Sequence, residues 1–292
     1  MSLSFAVGDF RVDRILEQNL PFMDPLEFLP TLTRELLEEN RHWLEPHALD
    51  PATGKLIFPM QSYLVRTGRH TILIDSCVGN HKHRPTRPNW HLKDDTAYMD
   101  ALAKAGVGVG DVDFVMCTHL HPDHVGWNTR LENGRWVPTF PNARYVFSEK
   151  ELAHWEARHA DTPIPYMTDS VLPVVEAGRV VQVKSDHEFE FGIHLEPTPG
   201  HTVDHFAVHL SSNGRDAVMT GDMMHTPLQC RYPHLVALPD VDREQAVATR
   251  RAVMERYCDT DTLICTAHFP VPSIGHFVRH GDAFDFRYAD LS

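Results

Sequence analysis

Short apolar runs recur along the chain and are separated by Gly, Pro and polar residues. Bounded runs of this kind are typical of buried strands, whereas apolar residues spaced three and four apart predict helices. The predicted strands cover residues 3–17 (one or two strands), 56–64, 71–75, 112–117, 144–147, 179–184, 188–195, 205–211, 215–220 and 262–266. The first predicted helix begins after Thr31 or Thr33 and ends near residue 44. The other predicted helices cover residues 96–105, 149–158, 170–177 and 243–257. The strands come in two groups, each followed by helices, so the chain combines α and β elements.

Capping and turn residues mark the ends of several predicted elements. Ser148 with Glu151 three residues later is a capping-box pattern, which predicts the start of a helix. Asp242 precedes another helical pattern and is a residue type that caps helices well. Asn213 and Gly214 separate two strand-like runs, so we expect a tight hairpin there.

Two polar segments, residues 79–95 and 159–170, have no apolar periodicity and are predicted loops. Long loops in a compact domain are usually functional or mobile. The first of them contains Trp90 and three His, which makes it a candidate lid. We expect loops of this kind to set the shape of a substrate pocket.

Composition and charge narrow the classes of protein and of partner. The 292 residues suit one large domain or two small ones, and the hydrophobic share of 42% is ample for a core. The formal net charge of −13 repels nucleic-acid phosphates. The densest basic run, residues 81–84, is too short to overcome that repulsion, so we expect no nucleic-acid partner.

Neither a membrane span nor a secretory signal is visible in the sequence. No apolar run approaches the length that crosses a bilayer, and residues 1–10 lack a basic segment followed by an apolar one. The five Cys are scattered and odd in number, which favours reduced thiols. We therefore expect a cytoplasmic protein without a membrane partner.

Four side chains that commonly bind metals stand close together directly after a predicted strand. In an extended chain, residues two apart point to the same side, so His119 and His121 can share one metal ion. Pro122 ends the extended geometry, and Asp123 and His124 then turn toward a different point, where a second ion could bind. Neutral imidazole and carboxylate are ligands that Zn²⁺ prefers.

This stretch resembles the HxHxDH signature of the metallo-β-lactamase-fold hydrolases, which draw further metal ligands from later loops. The later motifs are present in order: Gly200-His201 after residues 196–199, Gly221-Asp222 after 217–219, His268 after 263–267, and Asp75 after 71–74 as the non-ligand carboxylate of the first motif. The resemblance runs from about residue 57 to about residue 276. It implies an αββα sandwich of two mixed sheets with helices on the outer faces. We expect a single domain over residues 1–292, with residues 1–50 as an N-terminal extension that packs on it.

The resemblance also implies a site with two metal ions per chain, which we expect to be Zn²⁺, with Mn, Co or Fe as alternatives. The implied ligands are His119, His121 and His201 for the first ion, Asp123, His124 and His268 for the second, and Asp222 as the bridge. Two ions that share a water lower its pKa toward neutrality, so a bridging hydroxide would act as the nucleophile. A protein nucleophile is not required, and the sequence has no GxSxG motif.

Several branches of this fold are disfavoured by individual residues. The B1 and B2 β-lactamases have a Cys at the ligand position that Asp222 occupies here. Flavodiiron proteins have a Glu within the first motif, where this chain has His121, and they carry a flavodoxin domain for which the chain has no room. Persulfide dioxygenases bind one iron and leave the second site unused, whereas both sets of ligands are complete here.

The phrases THLHPDHVGW, FPNARYVFSEKE, GDMMH and TAHFPVPSIGH are most similar to the branch of N-acyl-homoserine lactonases and methyl parathion hydrolases. The lactonases have a Tyr three residues after the bridging Asp, where it contacts substrate; this chain has His225. His225 is therefore a candidate catalytic residue that either donates a hydrogen bond to substrate or packs beside the site. Asp204 and His205 are candidates to support the metal ligands or to begin a strand. Asp123 is also a candidate catalytic residue, because the matching carboxylate of the lactonases passes a proton to the leaving oxygen.

The predicted activity is zinc-dependent hydrolysis of a small neutral ester-like bond, in a lactone, an aryl or alkyl ester or a phosphotriester. One alternative is a thioesterase of the glyoxalase II type, which needs basic residues near the C-terminus, where residues 279–292 contain only Arg279, His280 and Arg287. Another is a non-catalytic metal-binding protein, against which the complete set of ligands argues. The expected partner is a small-molecule substrate. The oligomeric state is left open, with a homodimer as one possibility because relatives in this branch often form dimers.

Overall fold

The structure is a computed structural model that describes residues 3–189 and 192–291. The chain forms two compact units: unit 1 contains Met1–Glu17 and Met60–His187, and unit 2 contains Gln18–Pro59 and Glu188–Ser292. The segment 1–50 thus contributes to both units. The prediction that this segment extends one single domain stays a prediction.

Unit 1 is built on a mixed sheet whose strands follow the order β1-β2-β3-β4-β5-β8-β9. Its strands are β1 Leu3–Val7, β2 Phe10–Met23, β3 Leu56–Arg66, β4 Thr71–Ile74, β5 Phe114–Met116, β8 Arg144–Ser148 and β9 Val180–Val183, and the last residues of β2 and the first of β3 belong to unit 2. Strands β4, β5, β8 and β9 pair in parallel, and β3 pairs with β4 antiparallel. Parallel strands are usually covered on both faces, which explains their nearly continuous apolar sequences. A separate hairpin joins β6 Thr129–Glu132 to β7 Arg135–Pro138.

Helices cover one face of this sheet in unit 1. They are α3 Ala97–Lys104, α4 Glu149–Asp161 and α5 Leu172–Glu176, the last preceded by a π-helical turn at Met167–Val171. Tyr98, Leu102 and Trp155 pack with Val115 and Tyr145 of the strands in one buried cluster. Full burial of a large apolar side chain contributes about 1.5–3 kcal/mol, so this cluster is a main source of the unit's stability. Helix α4 begins as predicted.

Unit 2 contains a second mixed sheet of seven strands, in chain order from β10 to β16. The strands are β10 Glu188–Phe189, β11 Ile193–Pro197, β12 Phe206–Ser212, β13 Arg215–Met219, β14 Leu263–Cys265, β15 Ile274–His280 and β16 Ala283–Tyr288. Among the described strands of this sheet, β13 and β14 alone pair in parallel. The helices are α1 Pro25–Phe28, α2 Arg34–Leu44, α6 Leu228–Arg231 and α7 Arg243–Tyr257.

Local sequence signals are confirmed at several ends of elements. Ser148 Oγ accepts a hydrogen bond from the Glu151 N–H at 3.2 Å, and Asp242 Oδ1 accepts one from the Gln245 N–H at 3.0 Å. Thr33, not Thr31, caps α2. The predicted hairpin turn has positive φ at both Asn213 (47°) and Gly214 (70°), as a type I′ turn requires.

The predicted strand over residues 188–195 is wrong. Strand β10 ends at Phe189 and β11 begins at Ile193, and the two pair antiparallel as a hairpin. Residues 190 and 191 of the prediction lie outside the described residues. Gly192 has a φ of 77°, which interrupts an extended strand and fits the turn of a hairpin.

The loop 79–95, all of it described, forms neither helix nor strand, as predicted. Two buried basic side chains of this loop bind it to the rest of unit 1. Arg84 makes two hydrogen bonds to the Asp169 carboxylate, at 2.7 and 2.8 Å. Lys82 Nζ donates to the Asp169 backbone oxygen at 2.8 Å and lies 3.6 Å from the centre of the Trp136 ring. Burial lowers the pKa of Lys82 to about 7. A lid movement of this loop would have to break these contacts, and the lid stays a prediction.

Within the described part of the chain, no helix is both long enough and apolar enough to span a bilayer. The cytoplasmic location stays a prediction.

Candidate metal centre

In unit 1, the carboxylate of Asp75 organises the loop that follows β5. Asp75 follows β4, and because β4 and β5 are parallel neighbours, their carboxyl ends lie at the same edge of the sheet. Asp75 Oδ1 accepts a hydrogen bond from the Thr118 N–H at 2.8 Å, and its carboxylate also accepts from the Thr118 hydroxyl at 3.0 Å. Asp75 Oδ2 lies 2.8 Å from His124 Nδ1. The expected carboxylate of the first motif therefore lies beside the predicted ligands and orients one of them.

The four predicted ligands of this loop form two close pairs. Ligand atoms of His119 and His121 lie within 4.8 Å of each other, and so do ligand atoms of Asp123 and His124. The rings of His119 and His124 are also close, with centroids 4.2 Å apart. His119 and His124 are buried, whereas His121 and Asp123 are half-buried. The loop thus brings together all four residues that the sequence singled out in this unit.

In unit 2, imidazoles face both oxygens of the Asp222 carboxylate. His268 Nε2 lies 3.0 Å from Asp222 Oδ1, and His201 Nε2 lies 3.4 Å from Asp222 Oδ2. Asp222 follows β13 and His268 follows β14, and these strands pair in parallel, so their carboxyl ends meet at one edge. The three predicted ligands of unit 2, distant in sequence, are therefore neighbours in space.

The backbone beside His201 requires a glycine. Gly200 has a φ of 127°, and a Cβ at this position would lie 2.3 Å from the backbone N of Ala246 at the start of α7. The Gly200 carbonyl accepts a hydrogen bond from the Asp242 N–H at 2.9 Å. The loop that carries His201 is thereby fixed against the first turn of α7.

Hydrogen bonds at Nδ1 fix the tautomers of three predicted ligands. His268 Nδ1 lies 3.0 Å from the Pro59 carbonyl oxygen, which can only accept, so the proton is on Nδ1. His124 Nδ1 and His201 Nδ1 contact the carboxylates of Asp75 and Asp240, at 2.8 and 2.9 Å. In each case Nε2 is left with the lone pair that metal binding needs. A donor set of neutral imidazoles and carboxylates fits a divalent transition metal such as zinc.

Asp240, the partner of His201, was not among the residues predicted from the sequence. Asp240 is buried, and its Oδ2 also accepts a hydrogen bond from the Ala237 N–H at 2.8 Å. Burial would raise the pKa of Asp240, but the hydrogen bond and charge of His201 outweigh it and lower that pKa. Asp240 lies in the irregular segment before α7, where no periodic pattern or motif distinguishes it. It could be found only from the folded chain.

His205, a candidate supporting residue, contacts the loop of Asp222. Its Nε2 accepts a hydrogen bond from the Asp222 N–H at 3.0 Å, and its Nδ1 lies 2.7 Å from Thr198 Oγ1. His205 therefore fixes the backbone of Asp222, the candidate bridging residue. It also directly precedes β12, as the alternative prediction had it. Asp204, the other candidate, is buried.

His225 lies against the same carboxylate. Its Nε2 is 3.2 Å from Asp222 Oδ2, its ring is parallel to that of His268 with centroids 5.6 Å apart, and its N–H donates to Gln229 Oε1 at 2.8 Å. Burial lowers the pKa of His225, although the Asp222 carboxylate opposes this shift. The structure therefore places His225 among the predicted ligands of unit 2, and a direct contact with substrate stays a prediction.

Comparison with known proteins identifies the family. The model of the metallo-beta-lactamase superfamily matches residues 58–268. No curated protein sequence matches the chain. Among solved structures, the hydrolase AbOPH of the β-lactamase superfamily is 23% identical with a TM-score of 0.83, over 100% of this chain and 98% of that one.

Two further solved structures are similar over nearly their whole length. AidC, a dizinc quorum-quenching lactonase solved with its product, is 19% identical with a TM-score of 0.82, over 99% of this chain and 97% of that one. A probable metal-dependent hydrolase from Staphylococcus aureus is 18% identical with a TM-score of 0.75, over 98% and 100%. At this level of identity the similarity shows a common fold. The α/β class with two mixed sheets and helices is confirmed, and the chain belongs to the metallo-β-lactamase superfamily.

Proposed function

We propose that the protein is a dinuclear zinc hydrolase of small neutral ester-like substrates: a lactone, an aryl or alkyl ester, or a phosphotriester. The observation that carries this proposal is the Asp222 carboxylate, which has His268 Nε2 at 3.0 Å from one oxygen and His201 Nε2 at 3.4 Å from the other. A carboxylate with an imidazole nitrogen beside each of its oxygens is suited to bridge two ions. Membership of a hydrolase superfamily supports the same reaction class.

In this proposal the two ions take their ligands from the residues that the sequence singled out. His119, His121 and His201 would hold the first ion, Asp123, His124 and His268 would hold the second, and Asp222 would be a ligand of both. Two such ions supply a water of lowered pKa and polarise a carbonyl or phosphoryl oxygen. The protein contributes the tautomers, which are fixed by Asp75, Asp240 and the Pro59 carbonyl.

Aromatic side chains of unit 2 support a neutral, partly apolar substrate. Phe58 packs on the ring of His268 with centroids 5.3 Å apart, and the ring of Phe28 meets His225 edge-on at 4.9 Å. Phe22 stacks on Phe58 at 5.3 Å. Apolar surroundings of this kind next to the proposed ligands would favour an alkyl or aryl group over an anionic one, because these rings offer no charge to offset the desolvation of an anion.

Asp123 is proposed to have a second task in addition to metal binding. It is half-buried, so one carboxylate oxygen can face the substrate while the other binds an ion. A carboxyl group in that position can pass a proton to the leaving oxygen. An alkoxide needs this proton because its conjugate acid is weak, whereas a nitrophenolate leaves without it.

The thioesterase alternative is not supported by the basic residues near the C-terminus. Arg279 forms an ion pair with Glu255 at 2.6 Å, and its guanidinium lies over the ring of Phe284. A cation with these partners is a poor site for the carboxylates of a glutathione thioester. We therefore propose an oxygen ester or a phosphotriester as the substrate. A homodimer is the assembly that light scattering would test.

The proposal is tested by a turnover panel on zinc-loaded protein that covers lactones, aryl esters, phosphotriesters, thioesters and a β-lactam. We expect about two zinc ions per chain by elemental analysis. We also expect the highest kcat/KM on an oxygen ester or a phosphotriester. A metal content near one that zinc addition does not raise would contradict the dinuclear site. Turnover of the thioester alone would favour the glyoxalase II alternative, and inactivity on the whole panel with two ions bound would contradict the substrate class.

A further inference from the structure

Helix α7 places a charged side chain within its buried stripe. The buried residues of α7 are spaced three and four apart, as in an amphipathic helix that faces a core: Ala246, Thr249, Arg250, Val253, Met254 and Tyr257. Arg250 is fully buried, whereas its neighbour Arg251 is exposed. A buried cation is costly, and an apolar side chain of similar volume is often at least as stable. The position of Arg250 thus points to a role other than stabilising the core.

The guanidinium of Arg250 connects three separate segments of unit 2. Its Nε donates to the Met223 carbonyl at 3.0 Å, and its Nη1 donates to the carbonyls of Pro233 and Leu235 at 2.9 and 2.8 Å. Its Nη2 lies 3.6 Å from Asp240 Oδ2, within an ion pair whose two side chains are both fully buried. All these groups belong to unit 2.

Two of these contacts lead directly to proposed ligands. Met223 is the residue after Asp222, so its carbonyl belongs to the short turn that aims the Asp222 carboxylate. Asp240 holds His201 Nδ1 at 2.9 Å with its other oxygen. The guanidinium therefore contacts the residue that follows Asp222 and the carboxylate that is hydrogen-bonded to His201.

The third contact leads to His225. The Leu235 carbonyl, which accepts from Arg250, also accepts from Gln229 Nε2 at 3.0 Å. Gln229 Oε1 in turn accepts from the His225 N–H at 2.8 Å. The Arg250 side chain therefore contacts groups that hold Asp222, His201 and His225 in place.

We propose that Arg250 is a positioning residue for the metal centre, which sets the orientation of His201 and Asp222 through Asp240 and the Met223 carbonyl. This inference rests on the metal site of the proposed function. The planar guanidinium is suited to this role because it offers several donors in a rigid geometry, which a lysine does not. Groups that orient metal-binding histidines typically change metal affinity by about 10- to 100-fold when they are removed.

The experiment compares three variants with the wild-type protein, all prepared as full chains. Arg250→Met removes the guanidinium, and Arg250→Lys keeps the charge but loses the planar array of donors. Arg251→Met is the matched control, because Arg251 is the next residue of the same helix, is exposed and contacts only the Asp282 carbonyl among the hydrogen bonds described. Zinc affinity is measured by competition with a chromophoric chelator, the absorption spectrum of the Co²⁺ form reports ligand geometry, and the melting temperature of the metal-free protein reports stability.

We expect Arg250→Met and Arg250→Lys to weaken zinc binding by about 10- to 100-fold and to shift the Co²⁺ spectrum, and Arg251→Met to change neither. Asp240→Asn combined with Arg250→Met should weaken binding by less than the product of the two single effects, because both act through His201. A lower melting temperature of the metal-free protein with unchanged zinc affinity and spectrum would show a purely structural role and overturn the inference. If Arg250→Met does not fold, Arg250→Lys decides by the same criteria. A wild-type protein that binds no zinc would instead overturn the proposed function itself.

Discussion

The two units present their proposed metal ligands in opposite ways. In unit 1, four ligands lie within the six residues 119–124, and one carboxylate, Asp75, holds both the start of the loop and His124. In unit 2, the ligands are spread over residues 201–268, and a buried network that includes Asp240 and Arg250 holds them. A local motif fixes geometry by backbone conformation, whereas dispersed ligands depend on many tertiary contacts. We therefore expect unit 2 to be the more sensitive half to changes away from the ligands.

The largest effect is expected from Asp222, the ligand proposed to contact both ions. Asp222→Ala should remove at least one of two zinc ions and lower kcat/KM by more than about 100-fold, because loss of a direct ligand exceeds loss of an orienting partner. Elemental analysis and steady-state kinetics measure the two quantities. Asp216→Ala, on the same strand β13, is the control and should retain both ions. Full activity of Asp222→Ala would contradict the bridging role.

The next effect separates the two ions. His268 is proposed to bind the second ion only, so His268→Ala should lower the zinc content from about two to about one per chain. His276→Ala, a half-buried histidine on β15, is the matched control. Zinc titration by calorimetry should show one site lost and one retained. Retention of both ions together with activity would show that His268 is wrongly assigned.

Asp123 provides a test within the local motif of unit 1. Asp123→Asn keeps an oxygen ligand but cannot carry a proton, so kcat on a lactone or alkyl ester should fall by about 100-fold more than kcat on a nitrophenyl ester. Both substrates must be compared at equal zinc content, since lost metal would lower both rates. Equal losses with two ions bound would mean that Asp123 acts as a ligand alone.

The smallest effects are expected from Asp75 and Asp240, the carboxylates that orient a histidine in unit 1 and in unit 2. Asp75→Asn and Asp240→Asn should each weaken zinc binding by about 10- to 100-fold. Asp75 also accepts two hydrogen bonds from Thr118, and Asp240 accepts one from the Ala237 N–H and is paired with Arg250, so both replacements should lower the free energy of unfolding of the metal-free protein by about 1–3 kcal/mol. Urea denaturation of both variants measures these losses. Unchanged stability of Asp75→Asn would show that the Thr118 contacts do not contribute to the stability of unit 1.

The sequence was most informative where chemistry and conformation are local. The turn at Asn213 and Gly214 and the caps Ser148 and Asp242 follow from the conformations that these residues adopt within a few positions of themselves. The first motif could be recognised because strand and loop are contiguous. The assignment of the seven ligands nevertheless stays a proposal, because it came from resemblance to a family.

What the sequence did not predict depends on contacts between distant segments. The hairpin of β15 Ile274–His280 and β16 Ala283–Tyr288 was missed, although Phe277 and Phe286 bury against the core of unit 2. The alternation there is short and is interrupted by charged residues. For Arg250 the sequence shows a charged residue at an apolar position of a predicted helix. Only the fold shows what its guanidinium contacts.

The buried amine of Lys82 has a consequence for the conditions in which the chain is most stable. Its pKa is lowered to about 7 in the folded protein, from 10.5, chiefly because burial penalises the charged form. Between these values the unfolded chain carries a proton that the folded chain does not, so rising pH favours the folded state across this window, and below about pH 7 the cost of a buried ammonium is fully present. The contribution of Lys82 to the free energy of unfolding therefore rises with pH across this window, and Lys82→Met should flatten that part of the stability profile.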